Sequence, residues 1–219
     1  VERAGGIAKI ILVRNLNPAL LRESADALVK AVREAQMIIF PGGFSGGDEP
    51  EGSGKFIASF FRNPALMEAT NDLILNRDGL ILGICNGFQA LIKLGLVPFG
   101  EIRPLDSTCP TLTYNAIGLH RSCYVRTRVA SVKSPWLANC SLGEEHVIPI
   151  SHGEGRFAAD EATLARLIAN GQIAFQYVDA SGKPSMETGA NPPGSLFAIE
   201  GIASPGGRVL GKMGHTERC

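Results

Sequence analysis

Gly79-Leu80-Ile81-Leu82-Gly83-Ile84-Cys85-Asn86-Gly87-Phe88-Gln89 is the stretch on which the fold turns. Its first six residues are short and wholly apolar, the pattern of a strand buried on both faces in a parallel sheet. Residues 89–94 then begin a helix. A strand that feeds directly into a helix is the repeating step of doubly wound α/β architecture. Cys85 stands at the joint. Gly83 two residues before it and Gly87 two residues after it relieve the crowding that such a tight turn creates.

The same alternation extends upstream. Residues 7–13 read as an apolar strand. Asn17 offers an N-cap, Pro18 a first helical position, and Leu21, Ala25, Leu28, Val29 and Val32 an apolar stripe at helical spacing. Residues 37–40 are again fully apolar, as a buried parallel strand requires. They run into Pro41-Gly42-Gly43 and a glycine-rich loop, after which Asn63 and Pro64 open a helix over residues 63–76.

From about Thr111 the character changes. Residues 122–132 alternate in the manner of an antiparallel strand, and 147–150 and 174–178 are shorter strand candidates. Residues 161–170 read as a helix with Asp160 as N-cap and Gly171 as its stop. Residues 195–201 and 208–213 form the last two strands around the turn Ser204-Pro205-Gly206-Gly207. One domain over residues 1–219 accounts for this order. The opening Val1-Glu2-Arg3-Ala4-Gly5-Gly6 resembles the end of a helix with a glycine stop, which suggests a piece of a longer chain.

Composition narrows the function classes. Lys plus Arg and Asp plus Glu both number 21, so net charge gives no reason to expect nucleic acid or an anionic membrane as partner. Arg121, Arg126 and Arg128 come nearest to a basic patch, but the latter two alternate with Val125, Thr127 and Val129 as the wet face of a strand. Five scattered cysteines (85, 109, 123, 140 and 219) show no zinc-knuckle or dithiol spacing, so no metal is expected. Without a signal peptide or an apolar run of membrane-spanning length, a reducing, cytoplasmic setting is the expectation.

Three segments carry chemistry. At the elbow, backbone N–H groups of the following helix would favour a thiolate on Cys85 and hold a developing oxyanion. The plain alternative, Cys85 as a small buried hydrophobe, leaves the flanking glycines unused. A thiol nucleophile needs a base with an orienting partner. His215 and Glu217 are two apart, so in extended backbone both side chains point the same way. The third segment, Pro41-Gly42-Gly43-Phe44-Ser45-Gly46-Gly47-Asp48, places glycines just past a strand, where backbone amides can approach a ligand. It lacks the Gly-Lys-Ser/Thr ending of a phosphate loop.

These segments are similar to the three signature regions of class I glutamine amidotransferases. Ser151-His152-Gly153-Glu154-Gly155-Arg156 and Ala190-Asn191-Pro192-Pro193-Gly194-Ser195 resemble, more narrowly, the amidotransferase part of phosphoribosylformylglycinamidine synthases of purine biosynthesis. The resemblance covers nearly the whole chain. It implies a flavodoxin-like, doubly wound, mostly parallel sheet with an added antiparallel portion. Set against the family, residues 1–219 lack its first strand and helix, so the resemblance implies the C-terminal part of a longer synthase chain.

By the same resemblance, Cys85 attacks the side-chain amide of L-glutamine to form a γ-glutamyl thioester, with His215 as acid and base and Glu217 orienting it. The N–H groups of Gly43 and Asn86 would form the oxyanion hole. Gln89, Ser45, Ser151, His152 and Glu154 align with positions that hold the glutamine substrate, although His152 reads equally as a structural loop histidine. Ammonia would pass to a synthetase domain, fused or complexed, that uses ATP and Mg²⁺; no cofactor is expected in these 219 residues. Gly214 and Thr216 stand where the family commonly has prolines. Two rival readings are a cysteine peptidase or related hydrolase on a similar scaffold, and a regulatory module without catalysis.

Overall fold

The computed structural model describes residues 1–43 and 54–218. Its elements follow in chain order as helix α1 (Pro18–Glu34), strand β1 (Met37–Phe40), α2 (Lys55–Phe61), α3 (Pro64–Leu75), β2 (Leu80–Ile84), α4 (Asn86–Leu94) and the single turn α5 (Leu96–Phe99). After these come β3 (Thr111–Thr113), β4 (Arg121–Val129), β5 (Glu145–His152), β6 (Arg156–Ala158), α6 (Glu161–Ala169), β7 (Ile173–Tyr177), β8 (Ile199–Ala203) and β9 (Val209–Lys212). Local chemistry sets the helix starts. The side chain of Asn17 accepts from the N–H of Leu20, Asn63 accepts from Ala65, and Asp160 accepts from Thr163. Pro18 and Pro64 occupy first helical positions, where no N–H is needed.

The main sheet has the order β1-β2-β9-β8-β7-β4-β5, and β3 pairs with β6 in a separate ribbon. β1, β2 and β9 are parallel, with Ile39 opposite Leu82 and Leu82 opposite Leu210. From β9 outward every pairing is antiparallel. The α/β class and the added antiparallel portion are both present, but the latter takes in β8, β7, β4 and β5, so the described sheet is mixed rather than mostly parallel, with two parallel pairings against four antiparallel. Four antiparallel steps from β9 return the chain to its direction, so β5 runs in the same sense as β1, β2 and β9. The carboxyl ends of all four strands lie along one rim. The sheet curls enough for the β5 carbonyl of Pro149 to accept the N–H of His215, just past β9.

The largest core cluster sits where α4 crosses the parallel strands. Phe88, Leu91 and Leu94 of α4 are fully buried with Ile81 of β2 and Val209 of β9. Trp136 ties the antiparallel part to this core, its indole N–H reaching the carbonyl oxygens of Ile81 and Arg208. Burial of these side chains at about 1.5–3 kcal/mol each is the main source of stability.

Three further expectations need correction. Residues 7–13 form no strand: Ile7 and Ile10 are 99% and 94% exposed, and none of the described strands pairs with their backbone. The Met37–Phe40 run is a parallel strand but not a buried one. It ends the described sheet, leaving Met37 and Ile39 substantially exposed. Residues 195–198 enter a tight turn, with Phe197 at a φ of 54°, so strand β8 starts only at Ile199.

Candidate active site

Cys85 caps the N-terminus of α4 with φ 52° and ψ −108°, a conformation that costs a non-glycine residue of order 1–3 kcal/mol. Its neighbours make the bend possible. A Cβ on Gly83 would lie 2.5 Å from Leu91 and 2.8 Å from the carbonyl oxygen of Gly87; one on Gly87 would lie 2.1 Å from the carbonyl oxygen of Phe40. Only glycine lets β2, α4 and β1 come this close. The turn is pinned at both ends, because the Cys85 N–H donates to Lys212 of β9 and the Cys85 carbonyl accepts from Gln89.

Three loops meet at the thiol because their parent strands are neighbours. Gly42 follows β1, Cys85 follows β2 and His215 follows β9. Gly42 fills the gap between the other two: a Cβ there would stand 2.5 Å from Cε1 of His215 and 3.3 Å from Cβ of Cys85. His215 is 7% exposed, and its Nδ1 lies 2.6 Å from Oε1 of Glu217. An ionised carboxylate only accepts, so this contact puts the proton on Nδ1 and leaves Nε2 as the basic nitrogen.

The thiol is 6% exposed and its Sγ lies 3.9 Å from the carbonyl oxygen of Ser151. Burial pushes its pKa up to about 11. The N–H groups of Asn86 and Gly43 point at the sulfur and oppose that rise, as does Arg218, while the Glu217 carboxylate adds to it. The resting group is a neutral thiol, so a base must take its proton during attack. The two N–H groups named from the sequence both face the thiol sulfur.

A family profile described as a CobB/CobQ-like glutamine amidotransferase domain matches residues 1–219. The chain belongs to this glutamine amidotransferase family. The chain is 40% identical over 182 residues to phosphoribosylformylglycinamidine synthase subunit PurQ of Symbiobacterium thermophilum, covering 83% of this chain and 69% of that protein. To the subunit of the same name from Synechococcus elongatus it is 42% identical over 184 residues, covering 84% and 70%. A solved structure, PurLQS from Thermotoga maritima, is similar with a TM-score of 0.61 at 28% identity, over 84% of this chain and 69% of that one.

The other residues named for the amidotransferase site, Ser45 apart, gather at the 151–156 loop. Gln89 is buried, and its side-chain amide donates to the backbone carbonyl of Glu154, which ties α4 to the 151–156 loop. Ser151, at the end of β5, presents its carbonyl to the thiol and its hydroxyl to His120, 3.1 Å away. His152 is 3% exposed, with Nδ1 3.2 Å from Asn115 Oδ1. Burial, with the charges of His120 and His215 nearby, holds its pKa down to about 4, so it is neutral at physiological pH. Ser45 lies outside the described residues.

Sequence reading missed Asn115. This buried side chain accepts from the N–H of Gly155, donates to the carbonyls of Leu119 and His152, and so braces the 151–156 loop of the amidotransferase. No motif marks it, because its partners in that loop lie 37 and 40 residues away. Among the described residues, the one grouping with metal-ligand character is Cys140, Glu144 and His146, at the far end of β5 from His152. Its carboxylate already accepts from the Ser141 N–H and pairs with His146, which accounts for the cluster without an ion.

Proposed function

We propose that this chain is the glutaminase component of a phosphoribosylformylglycinamidine synthase. It hydrolyses L-glutamine and supplies ammonia to the synthetase of the same enzyme in purine biosynthesis. Family membership carries the class of reaction. The observation that carries the mechanism is the meeting of Cys85 and His215 across Gly42, with two backbone N–H groups aimed at the sulfur.

In this reading the Cys85 sulfur attacks the side-chain carbonyl carbon of glutamine while Nε2 of His215 takes the thiol proton. The carbonyl oxygen becomes an oxyanion held by the N–H groups of Gly43 and Asn86, each worth roughly 3–4 kcal/mol in such a site. His215 returns the proton to the departing nitrogen, the C–N bond breaks, and ammonia leaves behind a γ-glutamyl thioester. Water then attacks the thioester with His215 as base, releasing glutamate and the thiol. Glu217 steadies the imidazolium at each stage. Gln89, Ser151, His152 and Glu154 line or support the pocket for the substrate's amino and carboxylate ends.

The synthetase partner, fused or complexed, would bind ATP and Mg²⁺, and this domain needs neither for its own step. Delivery inside the assembly has a chemical rationale, since ammonia released into neutral water is protonated and loses its nucleophilicity. Cys85→Ala in the intact synthase is expected to abolish glutamine-dependent synthesis and spare ammonia-dependent synthesis. Undiminished use of glutamine by that variant would end the assignment.

A further inference from the structure

The loop that carries His215 is gripped by a buried ion pair that the triad does not include. Glu200 of β8 is 0% exposed and Lys212, the last residue of β9, is 4% exposed. Oε1 of Glu200 accepts the N–H of Gly214 at 2.5 Å and lies 3.7 Å from Nζ of Lys212. The same Nζ donates to the carbonyl of Gly214 at 3.0 Å and stands 5.0 Å from the centre of the Phe175 ring. Both polar groups of one glycine are thus held by opposite charges. The Lys212 backbone carbonyl meanwhile accepts the N–H of Cys85 at 2.8 Å, so one residue fastens both the nucleophile's turn and the base's loop.

Physical cost argues that this pair has a purpose. Two charges taken out of water rarely add net stability, and an apolar pair of similar volume often does as well. What a fixed pair supplies is orientation. Glycine is the residue least able to hold its own backbone, and Gly214 precedes the histidine whose ring must meet Cys85. There is no slack beside it, because a Cβ on Gly214 would lie 2.1 Å from Cδ1 of Ile148. Between the clamp and the Pro149 carbonyl that receives the His215 N–H, the peptide units on both sides of the Gly214 Cα are fixed.

We propose that Glu200 and Lys212 are positioning residues for glutamine hydrolysis, clamping the Gly214 peptide so that the His215 imidazole stays in register with the Cys85 thiol. The inference rests on the proposed Cys85–His215 mechanism. A misplacement of about 1 Å can lower turnover about 100-fold, so loosening the clamp should lower kcat for glutamine while KM stays nearly constant.

The test uses the intact synthase carrying Glu200→Ala, Lys212→Met, Glu200→Gln or the joint change Glu200→Leu with Lys212→Met, with Cys85→Ala as control. Expected are a fall in glutamine-dependent kcat of about 10- to 100-fold in the Ala and Met variants, KM within about threefold of the parent, and unchanged ammonia-dependent synthesis. Glu200→Gln keeps an acceptor for the Gly214 N–H and should recover part of the loss. The joint variant replaces the charges by apolar bulk and keeps the fold, yet should remain slow. Full glutamine turnover in the joint variant, or an equal loss of ammonia-dependent synthesis, overturns the clamp. Cys85→Ala separates the two levels: if it still uses glutamine, the underlying mechanism has failed; if it is dead while the clamp variants are normal, only the clamp has.

Discussion

Nδ1 of His215 lies 2.6 Å from Oε1 of Glu217, two residues along the same loop, and this contact sets which ring nitrogen is basic. The Glu217 side chain is 45% exposed, so water can partly replace it. Glu217→Gln should therefore lower glutamine kcat roughly 10- to 100-fold, less than loss of a fully buried orienting carboxylate, which approaches about 10⁴. Steady-state kinetics of glutamine-dependent synthesis will show it; an unchanged kcat would remove Glu217 from the mechanism.

The buried thiol makes a prediction about pH. Folding raises the Cys85 pKa from its usual 9.0 to about 11. Alkylation of Cys85 by iodoacetamide should be slow at neutral pH and climb about tenfold per pH unit past 9 before levelling near 11. The linked stability has a definite sign. A group that holds its proton more tightly when folded stabilises the fold below its unfolded pKa and loses that contribution as pH rises toward the folded one. A reaction rate that levels below pH 8 would show a thiolate and contradict the burial argument.

His152 has the opposite sign. Its pKa falls from 6.5 to about 4 in the fold, so the folded state gives up a proton that the unfolded state keeps. The stabilisation is present above about pH 6.5 and is lost as pH drops toward 4, reaching roughly 3 kcal/mol in all. Chemical denaturation at pH 7.5 and pH 4.5 should show His152→Gln losing less stability on acidification than the parent. Parallel losses would assign the acid sensitivity to other groups.

Gly42 stands between the His215 ring and Cys85. Gly42→Ala brings a methyl to 2.5 Å from Cε1 of His215 and 3.3 Å from Cβ of Cys85, so the imidazole must move. Glutamine kcat should fall at least about tenfold, with the melting temperature near that of the parent and ammonia-dependent synthesis intact. Normal glutamine turnover would mean that the ring has room the packing does not show.

What the sequence revealed was mostly local. Asn17-Pro18, Asn63-Pro64 and Asp160 mark helix starts because a cap is a contact between neighbours. The elbow around Cys85 is legible for the same reason: its glycines answer to a turn a few residues long. Strand status is different, because a strand exists only where another backbone offers a ladder. Residues 7–13 have the composition of a strand, but none of the described strands pairs with them. Helix α2 starts after Gly54 with no side-chain cap to announce it, though Phe56, Ile57, Phe60 and Phe61 carry a helical spacing. Within the site, Cys85, His215 and Glu217 could be named from motifs, whereas Asn115, Glu200 and Lys212 act through contacts that no spacing announces.

The central claim is that the Cys85 sulfur becomes acylated by the γ-carbonyl of glutamine. It is tested most directly by treating the intact synthase with a glutamine-like electrophile and mapping the modified residue by mass spectrometry, with and without excess glutamine. The account predicts a single adduct on Cys85, suppressed by glutamine and absent from His215→Ala kept at the same pH. Labelling spread over Cys109, Cys123 and Cys140, or labelling of Cys85 that glutamine does not slow, would contradict it.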